Sequence, residues 1–119
     1  IVALAFCVMI LFCPPQELAM YLAMNRFRIV RGQEAAFIAI WRERNSYLEQ
    51  VPGFIRFHLL QGASTDEYTL FASHAEWASE SAFQDWTRSE AFRQAHANAG
   101  ARRELYLGPP QLELFTAVI

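Results

Sequence analysis

Asn25, Trp86 and His96 are the side chains of this sequence whose types and spacing point to chemistry. Helical periodicity puts His96 on one face with Phe92, Ala95 and Ala99. Its alanine neighbours are small and leave room beside the imidazole. A neutral imidazole binds a metal through one ring nitrogen. One histidine does not make a tetrahedral zinc site, and no Cys/His spacing in the chain supplies the remaining ligands. One histidine does suffice for haem iron, because the macrocycle provides four nitrogens. A bulky indole at Trp86 could press on such a flat ligand, and the Asn25 amide could donate a hydrogen bond to an oxygen on its far side. A satisfied core histidine, a core indole and a structural amide would account for the same residues, and spacing alone leaves both readings open.

The elements that would bring these residues together follow from the hydrophobic pattern. Residues 20–30 alternate, with Ala23, Asn25, Phe27 and Ile29 on one face and Met24, Arg26 and Arg28 on the other. Asn25 therefore projects into an otherwise apolar layer, where an unpartnered amide costs a few kcal/mol. Residues 33–50 read as a helix, with Phe37, Ile40, Trp41, Arg44, Leu48 and Val51 as one stripe, closed by Pro52-Gly53. Strands over about 54–62 and 67–74 form a hairpin around Ser64-Thr65-Asp66. Two short helices follow, over 78–86 and from Ser89 to about Ala99, with Ser79 and Ser89 as N-caps and Gly100 as the stop. In one continuous helix Trp86 would point roughly 80° away from His96. A break at Thr87–Ser89 can turn both towards one cavity. A last strand spans 111–119, with Leu112, Leu114, Thr116 and Val118 on one face.

The order β-α-β-β-α-β predicts an α+β, ferredoxin-like split βαβ subunit with helices on one side of the sheet. The other side needs a cover, and a second copy of the sheet would make a homodimer. Composition agrees, since 54% hydrophobic and 14% aromatic residues exceed what a core of this size needs, leaving apolar surface for a pocket or interface.

The 119 residues suit one domain over 20–119, preceded by an apolar extension over 1–19. Ile1 to Cys13 would span about 20 Å as a helix, short of a bilayer core of about 30 Å. This stretch has the length of a signal-peptide core without its basic flank, and reads as upstream or added sequence or a leader remnant. The folded domain is expected to use no membrane. The net charge of −2, with arginines scattered and no lysine, argues against nucleic acid. Cys7 and Cys13 both lie in the extension, so the body carries no disulfide framework, which fits a reducing, cytoplasmic setting. His58 and His74 fall on strands and are assigned no chemistry; Trp41 and Trp77 fit core positions.

The segment from Glu76 through Trp86 to His96, EWASESAFQDWTRSEAFRQAH, resembles the signature of the antibiotic biosynthesis monooxygenase (ABM) superfamily, and more narrowly its IsdG-type haem-degrading monooxygenases. Val51-Pro52-Gly53-Phe54 with Phe57-His58-Leu59-Leu60 is similar to that family's second strand, and the likeness covers residues 21–119. The resemblance implies a dimeric α+β barrel and an oxidoreductase that uses haem as both cofactor and substrate. It further implies molecular oxygen, an external electron donor such as a reductase, and a role in iron acquisition. The family's Asn-Trp-His triad falls on Asn25, Trp86 and His96. By this resemblance His96 would be the axial iron ligand, Asn25 would orient oxygen, and Trp86 would distort the macrocycle. Phe27 and Phe92 are expected as walls of the haem pocket. The same superfamily also implies an alternative, a cofactor-free monooxygenase acting on an aromatic or quinol substrate with His96 as general base. A non-enzymatic haem-binding protein is the third possibility.

Overall fold

A computed structural model of the chain describes residues 19–44, 48–97 and 102–119. The apolar extension through Glu17 and Leu18, the middle of the expected long helix at residues 45–47, and the expected helix end at Ala99 and Gly100 lie outside the described residues. The elements are β1 (Tyr21–Val30), α1 (Glu34–Glu43), a 3₁₀ turn (Leu48–Gln50), β2 (Phe54–Ser64), β3 (Tyr68–Trp77), α2 (Glu80–Thr87), α3 (Glu90–Ala95), a second 3₁₀ turn (Arg103–Leu105) and β4 (Gln111–Thr116). The four strands form one antiparallel sheet in the order β2-β3-β1-β4. This is the ferredoxin-like α+β arrangement that the element order predicts.

Strand alternation decides which side chains meet the helices. Tyr21, Ala23, Phe27 and Ile29 of β1 are buried on the helix side, together with Thr69, Phe71, Ser73 and Trp77 of β3. Two apolar clusters result. One gathers Tyr21, Ala23, Leu48, Trp77 and Phe83, with Trp86 packed against it. The other gathers Phe27, Ile29, Phe37 and Phe71, with Trp41, Leu59 and Tyr106 against it. The cross-strand row Leu59–Ser73–Asn25–Leu112 runs between them. Two of its members are polar, which is why the core divides there.

Several boundaries differ from the sequence expectation. The long helix stops at Glu43; Arg44 already has extended backbone, and Leu48–Gln50 form a separate 3₁₀ turn that buries Leu48. The hairpin strands are longer, to Ser64 and Trp77, because cross-strand pairing continues past the apolar runs. The last strand ends at Thr116, where pairing with Tyr21 of β1 ends. His96 is the C-cap of α3 rather than an interior helical residue.

Among the described residues, no helix lies over the opposite face of the sheet. Leu22, Met24, Leu70 and Ala72 lie there half-buried, and Leu60 and Phe115 are exposed. His58 and His74 sit side by side on this face, their ring centroids 6.2 Å apart. Arg26–Glu113 and Arg56–Glu76 ion pairs flank them.

Gly53, the residue before β2, has φ +85°, and a Cβ there would lie 2.4 Å from the Cβ of Ala82 on α2. Gly32 has a similar φ of +90° with nothing within 4 Å. Gly32→Ala is expected to cost only the left-handed backbone penalty, about 1–2 kcal/mol. Gly53→Ala adds a collision with α2 and is expected to exceed that by about 1 kcal/mol or more. Urea unfolding of the two variants checks this; equal losses would mean that α2 does not approach the strand so closely.

Candidate functional site

The corner between α2 and α3 is built by two serines. Ser79 caps α2, its hydroxyl accepting from the Ala82 N–H at 3.1 Å. Ser89 caps α3 in the same way, accepting from the Phe92 N–H at 3.1 Å, while its own hydroxyl donates to the Trp86 carbonyl at 2.6 Å. One hydroxyl thus ties the end of α2 to the start of α3. The expected break between Trp86 and His96 is present, and it turns the two rings together.

Trp86 and His96 lie with ring centroids 5.7 Å apart. Phe92 sits against both, stacked on the imidazole at 4.1 Å and edge-on to the indole at 4.8 Å. Phe92 is therefore part of the aromatic corner. Phe27 is 5% exposed and surrounded by Phe37, Trp41 and Tyr106 in the second cluster, away from this corner.

The imidazole has a defined free nitrogen. Nδ1 lies 2.8 Å from the Phe92 carbonyl oxygen, which can only accept, so Nδ1 carries the proton and donates it. Nε2 is left with its lone pair. Burial lowers the pKa of His96 below the ordinary value; the positive charge of Arg44 acts in the same direction, and the bond to the Phe92 carbonyl opposes both. The ring is neutral at neutral pH.

Asn25 is on the helix-side face, as alternation requires. Its Oδ1 is buried without a hydrogen-bond partner, and so is the indole Nε1 of Trp86. An orphaned buried polar atom costs about 1–3 kcal/mol. The indole Nε1 of Trp77, wholly buried in the first cluster, is unpartnered as well, so of the three it is Asn25 and Trp86 that belong to the candidate site. Trp86 packs against the cluster containing Ala23, two residues before Asn25 on the same face. No direct contact joins Asn25 to Trp86 or His96 among the described residues. Beyond Asn25, Leu112 and Leu114 face the helix side yet are 57% and 40% exposed, so the floor at the β4 edge stays open.

Two cavities are present in addition. One of about 450 Å³ is lined by Trp86, Val51, Pro52, Ala82, Ser89 and Gln94, among others. One of about 360 Å³ lies between α1 and β2, lined by Ile38, Trp41, Arg42, Phe57, Leu59, Gln61 and Phe71. Neither is lined by Asn25 or His96. The described residues contain no cluster of three or more His, Cys, Asp or Glu able to hold a bare metal ion. No helix among them is long and apolar enough to cross a membrane.

Two residues at the site were not singled out by sequence reasoning. Ser73 is buried beside Asn25, and only the strand register reveals it. Arg44 sits beside His96; its signal was a charge within the apolar stripe of the first helix.

The comparisons with known proteins agree with this architecture. A family profile described as antibiotic biosynthesis monooxygenase matches residues 20–98. A heme-degrading monooxygenase of Bacillus cereus is 28% identical over 88 residues, covering 74% of this chain and 81% of that protein. One from Shouchella clausii is 28% identical over 89 residues, covering 75% and 82%. Among solved structures, SnoaB, a cofactor-independent oxygenase from Streptomyces nogalater, has a TM-score of 0.62 at 27% identity, covering 85% of this chain and 95% of its own. A Bacillus cereus protein described as an antibiotic biosynthesis monooxygenase has a TM-score of 0.67 at 18% identity, covering 85% and 95%, a likeness of fold.

The state of His96 has a consequence for stability. The unfolded chain takes up a proton at this residue near the ordinary value of about 6.5, whereas the folded chain resists it to lower pH. Below that value the unfolded state binds more protons, so stability falls as pH falls. The drop in melting temperature between pH 7.5 and 5.5 is expected to be smaller in His96→Gln than in the wild type. Equal drops would contradict a depressed imidazole.

Proposed function

Because the chain belongs to the antibiotic biosynthesis monooxygenase family, we propose that it is a haem-degrading monooxygenase that opens the porphyrin ring and releases iron for iron acquisition. The substrates are haem, molecular oxygen and reducing equivalents from an external donor such as a reductase, in the cytoplasm. The observation that carries this reading is the His96 imidazole, neutral and half-buried, with Nδ1 committed to the Phe92 carbonyl and Nε2 free. Such a tautomer, fixed by a backbone carbonyl, suits an axial ligand. The two relatives named heme-degrading monooxygenases support the same substrate.

Bound haem would supply both the iron that activates oxygen and the carbon that is oxidised. The chain's own residues do the positioning. Phe92 holds the imidazole by its carbonyl and by stacking. Trp86 would supply a rigid aromatic wall beside His96 for a flat ligand held there. Asn25 offers an amide from the sheet: its Nδ2 would donate to an oxygen on the ligand's far side, and its unpaired Oδ1 can only accept. The apolar floor at Leu112 and Leu114 gives a macrocycle a surface to rest on. Phe27, buried in the second cluster, is left outside this set.

Likeness to SnoaB favours a second reading, a cofactor-independent oxygenase acting on an aromatic or quinol substrate. In that case the free Nε2 of His96 is a general base. A haem carrier without turnover is the non-enzymatic form of the first reading.

Adding haem to the purified protein separates these readings. A stoichiometric Soret band is expected in the wild type and is expected to be lost in His96→Ala. With reductant and oxygen the band should decay and release iron, and catalase should not protect it. Asn25→Ala should keep the band and slow its decay about 100-fold, the usual cost of one positioned hydrogen-bond donor. Absence of haem binding in the wild type sinks the haem reading; stable haem under reductant leaves a carrier.

A homodimer with sheets packed face to face follows from the same reasoning, since the apolar side chains of this sheet face have no helix over them among the described residues. The wild type is expected to run as a dimer in light scattering coupled to size exclusion. Phe115→Arg is expected to shift it towards monomer. A monomeric wild type at micromolar concentration would refute this assembly.

A further inference from the structure

We infer that Arg44 is a positioning residue for His96, acting through the peptide that joins Ala95 to His96. The inference rests on the haem reading above for its functional meaning, and on contacts within the chain for its geometry. Both Nε and Nη2 of Arg44 donate to the Ala95 carbonyl oxygen, at 3.0 and 2.7 Å. The N–H of the same peptide, that of His96, donates to the Phe92 carbonyl at 3.1 Å. A peptide unit is planar, so holding its oxygen at one end and its N–H at the other fixes its orientation. The imidazole hangs from that plane, with its own Nδ1 on the same Phe92 carbonyl.

The guanidinium is itself fixed. Its carbon lies 4.8 Å from the centre of the Trp41 ring, which defines its plane from below. It is partly buried, and among the described residues no carboxylate lies within ion-pair distance. By contrast Arg26, Arg31, Arg56, Arg93 and Arg102 all pair with glutamates. Burying a cation without a counter-ion is costly unless fixed dipoles replace water. Here the replacement is a carbonyl at the C-terminal end of α3, which accepts from no other donor among the described residues and carries partial negative charge. The partner is thus the one carbonyl whose orientation sets His96. Tyr106 is the other titratable group coupled to Arg44, and it is neutral at neutral pH because burial raises its pKa.

Groups that orient a metal-binding histidine from outside typically change metal affinity by about 10–100-fold when removed. Haem titrations of the wild type, Arg44→Ala, Arg44→Lys and Gly32→Ala test the assignment, with Gly32→Ala as a destabilised control remote from the site. Arg44→Ala is expected to weaken haem binding by about tenfold or more and to shift the Soret maximum. Arg44→Lys, which can still place one donor on the Ala95 carbonyl, is expected to recover part of the affinity and the wild-type Soret position. Gly32→Ala is expected to melt earlier but to keep wild-type affinity. Wild-type affinity and an unshifted Soret band in Arg44→Ala would overturn the inference, as would equal weakening in Gly32→Ala. If Arg44→Ala does not fold, Arg44→Lys carries the same comparison against Gly32→Ala. A wild type with no Soret band would refute the haem reading instead. The hold on His96 is then read in the haem-free protein, where the His96 amide should exchange faster in Arg44→Ala than in Gly32→Ala; equal exchange overturns it.

Discussion

The antiparallel pairing of β1 with β3 is the constraint on which the rest depends. It runs from Tyr21 opposite Trp77 to Val30 opposite Tyr68 without a slip. A shift by one residue would send every side chain of β1 to the other face. Asn25 would then leave the helix side, and Phe27 and Ile29 would be lost from the core. The register also places Ser73 opposite Asn25, so the polar pair interrupts the apolar layer at one level. The two hydrophobic clusters are the consequence, and the helices pack on each of them separately. The aromatic corner of the candidate site, Trp86 with Phe92 and His96, extends the first of these clusters.

Much of this was legible in the sequence. Alternation through β1 gave Asn25 its side, because one face of a sheet this size must be apolar and the exception stands out. Ser79 and Ser89 announced two helices instead of one, since a hydroxyl at an N-cap replaces a missing backbone partner. The antiparallel sheet followed from element order alone. Other features depended on contacts between distant segments and had no local signal. Ser73 became notable only through its neighbours across the strands. Arg44 looked like an ordinary interruption of a helical stripe, because its partner, the Ala95 carbonyl, lies 51 positions away. The early end of α1 belongs to the same class: its apolar period continues through Leu48, but the backbone leaves the helix at Arg44.

The site divides its labour between two layers. The sheet contributes an amide whose oxygen is unpaired, and the helices contribute an aromatic corner with one basic nitrogen. Phe92 joins these tasks, since its carbonyl selects the tautomer of His96 while its ring covers one imidazole face. This arrangement needs few polar atoms. It suits a flat, mostly apolar molecule better than a small hydrophilic one.

The Ser89 hydroxyl has a mechanical meaning as well. It donates to the Trp86 carbonyl and accepts from the Phe92 N–H, and the Ser89 N–H also donates to the Trp86 carbonyl at 2.9 Å. Swinging α3 away from α2 would break these bonds together, so the corner is a bracket and not a hinge. Trp86, Phe92 and His96 are consequently held in one preset arrangement. On the reading proposed above, a bound molecule would have to adapt to them, and strain would be stored in the guest and not in the backbone that holds it.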